Sequence, residues 1–279
     1  METMREVSKE SAGMLPPQER LALSIEQALE LRSAGDVAGA ASELEQALNE
    51  ARRTPYEVKL QTRVRLATML TGSYLATGRI EQAREMLAAE SEYAENIFGL
   101  IQATGSTPEK RMAQADRVQI RDLAVQLSLI GQPAPEISLA QWINGEPTTL
   151  EALRGQVVLL EFWATWCKPC HEMFPKLREL HDAHAARGLR ILGLTRHYLA
   201  YGGTEEAREE ELSLVRQFIG ERDVPFPIGV APDERTQTLY GATGLPAVAL
   251  IDREGIVRYR FGGGGDAMFQ QVLAESLVE

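Results

Sequence analysis

The stretch VVLLEFWATWCKPC, residues 157–170, decides the fold of the chain's second half. Val157 to Ala164 form a run of β-prone apolar side chains interrupted once, by Glu161, the pattern of a strand buried on both faces of a sheet. The run leads directly into Cys167-Lys168-Pro169-Cys170. Pro169 suits the first turn of a helix, where its missing N–H is not needed. Cys167 therefore falls at a helix N-terminus, whose unpaired N–H groups and macrodipole stabilise a thiolate. A step of three residues brings the second sulfur onto the same helical turn, within reach of a disulfide. The spacing predicts Cys167 as the attacking thiol and Cys170 as the resolving one, acting through a mixed disulfide. With two cysteines in 279 residues, neither a disulfide framework nor a four-thiolate zinc site can form.

Working outward, LRILGLT (189–195), FPIGV (226–230), AVALID (247–252) and IVRYRF (256–261) read as further strands, the last two joined by a tight turn at Arg253-Glu254-Gly255. Helices are expected from the cysteine motif to about Arg187, from about Thr204 to Gly220, and from Asp266 onward. Strands alternating with helices and ending in a hairpin imply an α/β domain with a mixed sheet. Upstream, Gly131-Gln132-Pro133-Ala134-Pro135 marks a boundary, because each proline forces its predecessor into extended backbone.

Residues 16–130 are helical in character. Leu21, Ile25, Ala28 and Leu29 share a helix face, and Asp36 is an N-cap candidate before Ala40, Leu44, Ala47 and Leu48. Further helices are expected from Pro55 to Thr77, Ile80 to Ala103 and Pro108 to Ile130. Gly35 and Gly78 open similar segments, an echo that partly resembles tetratricopeptide repeats but has a longer period. An array of helical hairpins and an unclassified helical bundle both fit. Residues 1–15 read as a disordered lead-in. The expected domains are thus 1–15, 16–130 and 131–279.

The net charge of −11 argues against binding to nucleic acid or an anionic membrane, and ordinary hydrophobic content excludes wholesale disorder. The first thirty residues show no basic segment followed by an apolar one, so no secretory signal is expected in the chain as given.

EFWATWCKPC is similar to the active site of thioredoxin-fold proteins. GQPAPE before the domain, Leu153 to Val157, and an insertion between about 196 and 225 resemble the TlpA and ResA branch; the resemblance covers residues 131–279. It implies a thiol-disulfide oxidoreductase that reduces protein disulfides, drawing electrons from an upstream donor and using no cofactor beyond its own redox-active disulfide. It implies that Glu161 is a buried acid beneath Cys170 that accepts or relays its proton. Pro246 matches a cis-proline facing the disulfide, with the Leu245 backbone turned towards a substrate chain. Trp163 is implied as core, and Trp166 as lining the site. Lys168 adds a cation that favours the thiolate, whereas Pro169 points towards reductants. The expected potential lies in the reducing half of the range from roughly −270 to roughly −120 mV. Proteins of this branch are extracytoplasmic, which makes that the expected location, with a cytoplasmic one as the alternative.

Rival readings exist. Cys167 to His171 also fits C-x-x-C-H, the c-type haem attachment motif, but a buried strand running into it leaves no open pocket, and His171 is expected as an exposed residue of the first helical turn. Peroxidase chemistry needs a Pro-x-x-x-Thr-x-x-Cys setting, whereas Thr165 lies two residues before Cys167. Arg196 to Gly203 is expected as a solvated crossover loop, with substrate contact as the alternative. Gly262 to Gly265 reads as a flexible turn. A rival from another class is an interaction protein whose helical half docks a partner or a second copy while the redox domain is passive.

Overall fold

The computed structural model describes residues 15–200, 202–261 and 267–278. The expected lead-in, apart from Leu15, the 262–265 turn and Asp266 lie outside the described residues. The chain forms two compact units, divided between Ala124 and Val125.

The first unit is built from α1 (Pro17–Ser33), α2 (Val37–Arg53), α3 (Leu60–Ala76), α4 (Ile80–Thr104) and most of α5 (Thr107–Leu129). In the run from α1 to α4 each helix packs on the next. Asp36 caps α2, its side chain accepting the Gly39 N–H at 2.8 Å. Leu21, Ile25 and Ala28 are buried, but Leu29 is 44% exposed; at 3.6 residues per turn it lies about 80° round from Leu21, at the edge of the stripe. α3 begins at Leu60 rather than Pro55, because the chain first turns, Glu57 N–H donating to the Thr54 carbonyl at 3.1 Å, and buries Val58. One buried ion pair lies within this unit: Arg63 reaches Glu90 at 2.7 Å, and Arg52 meets the other oxygen of Glu90 at 2.9 Å. The Arg63 guanidinium stacks on the Tyr93 ring.

The second unit is a six-stranded mixed sheet. Its strands are β1 (Gln141–Ile143), β2 (Val157–Phe162), β3 (Leu189–Arg196), β4 (Ile228–Ala231), β5 (Ala247–Ile251) and β6 (Val257–Phe261), in the spatial order β1-β4-β3-β2-β5-β6. β2, β3 and β4 run parallel, while β1, β5 and β6 pair antiparallel with their neighbours. The short β1 was not expected from the sequence: with three residues, one exposed and two half-buried, it has no alternation to detect. Gly131 turns the chain with φ 80°, its N–H donating to Val257 O at 2.8 Å, and Pro133 and Ala134 then pair with the residues leading into β6, Ala134 N–H donating to Gly255 O at 2.9 Å.

β2 is buried throughout, and its side chains alternate between two cores. Val157, Leu159 and Trp163 join a cluster completed by Met173, Phe174 and Leu177 of α7 (Met173–His184), Val215, Phe218 and Ile219 of α8 (Glu205–Glu221), and Phe269 and Leu273 of the C-terminal helix Ala267–Val278. Val158, Leu160 and Phe162 join the opposite cluster, with Ile137, Leu150 and Tyr240. The cysteines belong to the first. The expected single helix after the cysteines is broken: α6 (Lys168–His171) stops at Glu172, a 3₁₀ turn Ala185–Arg187 follows α7, and the short α9 (Arg235–Leu239) was not foreseen. Pro175 has no N–H to give the His171 carbonyl, so the ladder fails at that point.

Candidate active site

Cys167 and Cys170 form a disulfide at the carboxyl end of β2, with Cα atoms 5.3 Å apart. Cys167 is the N-cap of α6, and its sulfur lies 3.3 Å from the Cys170 N–H. A thiolate there gains a backbone donor as well as the positive end of the helix. Cys167 is only 3% exposed and Cys170 is fully buried. Lys168 and Pro169 are exposed beside them, and Trp166 is 56% exposed while Trp163 lies in the core.

Glu161 is completely buried on β2. Strand alternation puts it between Leu159 and Trp163, on the face that holds both cysteines. Neither of its carboxylate oxygens has a hydrogen-bond partner, and desolvation pushes its pKa up to about 8. In register it lies opposite Gly193 on one side and Val248 on the other. A Cβ on Gly193 would fall 3.2 Å from the Trp163 Nε1 and closer still to Ile228 Cδ1, so the close approach of these side chains to β3 requires glycine there.

The Leu245-Pro246 peptide is cis. It precedes β5, whose Ala247 pairs with Phe162, and Leu245 packs against the cluster containing the cysteines. The strand order therefore sets Leu245 and Pro246 at the end of β2 from which the cysteine motif departs.

His171 departs from expectation: it is half-buried, its Nε2 2.8 Å from the Thr165 carbonyl and its ring 4.7 Å from that of Phe218. Residues 196–200 are likewise no freely solvated loop. Tyr198 is half-buried with its ring edge-on to Trp166 at 5.4 Å. Its hydroxyl accepts a hydrogen bond from Gln237, whose Oε1 accepts one from Arg196 at 2.7 Å.

Comparison with known proteins follows the same half of the chain. The AhpC/TSA family matches residues 130–260. The thioredoxin-like protein YneN of Bacillus subtilis (strain 168) is 30% identical over 128 residues, 46% of this chain and 68% of its own length. The chain belongs to the family of ResA and YneN, thioredoxin-like proteins. Within it, the thiol-disulfide oxidoreductase ResA of Geobacillus thermodenitrificans (strain NG80-2) is 31% identical over 46% of this chain and 67% of its own. For the Bacillus anthracis ResA the figures are 30%, 46% and 66%, so the match spans just under two thirds of that relative. A solved structure of a putative thiol:disulfide interchange protein DsbE from Chlorobium tepidum is 26% identical and covers 53% of this chain and 97% of its own, with a TM-score of 0.44. The resemblance read from the sequence singles out Cys167, Cys170 and Pro246; substrate contact is only the alternative reading of the 196–203 segment that holds Tyr198, and sequence reasoning missed Glu211 and Gln237. No local signal marks them, because their contacts span 11 to 41 residues of chain.

Proposed function

We propose that this protein is a thiol-disulfide oxidoreductase that reduces disulfides in protein substrates. The observation that carries the reading is the Cys167-Cys170 pair at a helix N-terminus on the same face of the sheet as a buried, unpartnered Glu161. In the proposed cycle the Cys167 thiolate attacks one sulfur of a substrate disulfide, forms a mixed disulfide and expels the other sulfur as thiolate. Cys170 then gives its proton to the Glu161 carboxylate and attacks the Cys167 sulfur. The second substrate sulfur leaves as thiolate, and the Cys167-Cys170 disulfide returns; two electrons have passed to the substrate. A dithiol donor restores the pair by the reverse exchange. A carboxyl poised near 8 can take up and release that proton at ordinary pH. Trp166, Lys168, Pro169, Leu245 and Pro246 are the proposed substrate-facing residues, with the Leu245 backbone pairing with an extended chain.

No further cofactor is proposed. Docking of a partner or a second copy is the role proposed for the helical unit, and an extracytoplasmic compartment the proposed location. Among the described residues no helix is long and apolar enough to cross a membrane. Peroxidase chemistry, which the AhpC/TSA match favours, is a second reading; the placement of Thr165 and the pairing of both cysteines speak against it.

The test is insulin reduction with dithiothreitol as donor. Wild type is expected to be active and Cys167→Ser inactive; equal rates with and without Cys167 would reject the enzyme in favour of a scaffold. Cys170→Ser is expected to accumulate mixed disulfides in cells, and the trapped partners would identify substrates and compartment together.

A further inference from the structure

Glu211 takes no part in the exchange chemistry above, yet it is almost fully buried in α8 and both its oxygens are committed to the chain that follows β3. Oε1 accepts the N–H groups of Tyr198 at 2.9 Å and Leu199 at 3.1 Å; Oε2 accepts that of Ala200 at 3.0 Å and lies 3.4 Å from the His197 Nδ1. Burial alone would push this carboxyl up, but the three backbone donors and His197 outweigh it and hold it below the usual range. Three successive donors on one ionised acceptor leave this backbone little room to swing.

The anchored segment presents Tyr198. The Arg196 guanidinium lies over its ring at 4.3 Å, and its hydroxyl is tied to Gln237 of α9. Its backbone, its ring face and its phenol are thus fastened by groups from α8, β3 and α9 respectively. The remaining edge of the ring system meets Trp166, the exposed residue immediately before Cys167. Leu199, next along, is 71% exposed. Cys167 itself is almost covered, and this aromatic and aliphatic rim adjoins it through Trp166.

Building on the proposed exchange reaction, we infer that Glu211 is a positioning residue for substrate recognition. It holds residues 198–200 so that Tyr198 and Trp166 make a rigid apolar rim against which the polypeptide flanking a target disulfide packs. The occupant is an extended protein segment with apolar side chains, since Trp166 and Leu199 are the exposed parts of the rim while the Arg196 guanidinium is engaged with the Tyr198 ring and Gln237, and since Tyr198 and Leu245, whose backbone is proposed to pair with substrate, pack against the same cluster. A small disulfide such as oxidised glutathione has no apolar flanking chain to place on it.

The experiment compares wild type, Glu211→Gln, Tyr198→Ala and Tyr198→Phe in reduction of insulin and in exchange with oxidised glutathione. Loss of an aromatic contact predicts a rise in KM for insulin of about three- to tenfold in Tyr198→Ala and Glu211→Gln, with kcat little changed. Glutathione exchange and the redox equilibrium should stay at wild-type values, and Tyr198→Phe, which keeps the ring but loses the hydroxyl held by Gln237, should give a KM between those of wild type and Tyr198→Ala. Should Glu211→Gln fail to fold, the alanine and phenylalanine pair at Tyr198 carries the comparison. Unchanged KM in the folded variants, or equal losses towards insulin and glutathione, would overturn the inference while leaving the oxidoreductase reading intact. A wild type inactive on insulin would instead refute that reading, and this inference with it.

Discussion

Replacing Glu161 by Gln should change the way stability depends on pH, in a direction the burial of this residue dictates. In the unfolded chain the carboxyl titrates near its ordinary value of 4.5; in the fold, stripped of water and without a partner, it titrates near 8. Below 4.5 both states are protonated and Glu161 costs nothing by ionisation. As pH rises above 4.5 the unfolded chain releases its proton while the folded protein keeps it, so stability falls by about 1.4 kcal/mol per pH unit until about pH 8, then levels off. The cost is about 3 kcal/mol at pH 7 and about 5 kcal/mol above pH 8. Gln has the same size and cannot ionise. The difference in unfolding free energy, Gln variant minus wild type, should therefore climb with that slope between pH 5 and 8, whatever constant offset the buried amide adds. All three tryptophans, Trp142, Trp163 and Trp166, lie in the second unit, so urea unfolding of the oxidised protein followed by tryptophan emission reports on that unit alone. A difference that is flat over this range would mean that Glu161 titrates normally, and the physical basis for its proton-relay role would be gone.

Two further pairs of variants test the packing. Glu90→Ala leaves the Arg63 guanidinium buried without its carboxylate and should destabilise the helical unit by about 3–5 kcal/mol, whereas the double change Arg63→Met, Glu90→Leu should recover most of the loss; thermal unfolding by far-ultraviolet circular dichroism measures both, and no recovery in the double variant would refute the account. Gly193→Ala should cost about 1–3 kcal/mol, because the added methyl meets Ile228 Cδ1, and Ile228→Val should relieve part of it; an additive pair of losses would show that this contact is not the cause.

The site was legible in the sequence to the extent that its chemistry is local. Cys167 and Cys170 are three residues apart on one turn, and Pro169 marks the helix start. Glu161 stands out as the only charge in a buried run. Leu245 and Pro246 could be placed by resemblance, but their position beside the cysteines depends on β5 pairing antiparallel with β2, a contact made some eighty residues later. β1 and α9 escaped notice because three to five residues show no period; the break at Glu172 escaped because the effect of Pro175 falls four residues upstream.

By itself the sequence determined which segments could be strands or helices and where a thiolate would be stabilised, since both follow from side-chain periodicity and from groups within one helical turn. Only the tertiary structure decided the environment of those groups. The pKa of Glu161 comes from the cluster closing over it, assembled from β2, β3, α7, α8 and the C-terminal helix. Tyr198 stands against Trp166 because Glu211, thirteen residues further on, captures its backbone, while Gln237 and Arg196 hold its ring. Burial and long-range hydrogen bonds exist only once distant segments meet, so a short window of residues contains no trace of them.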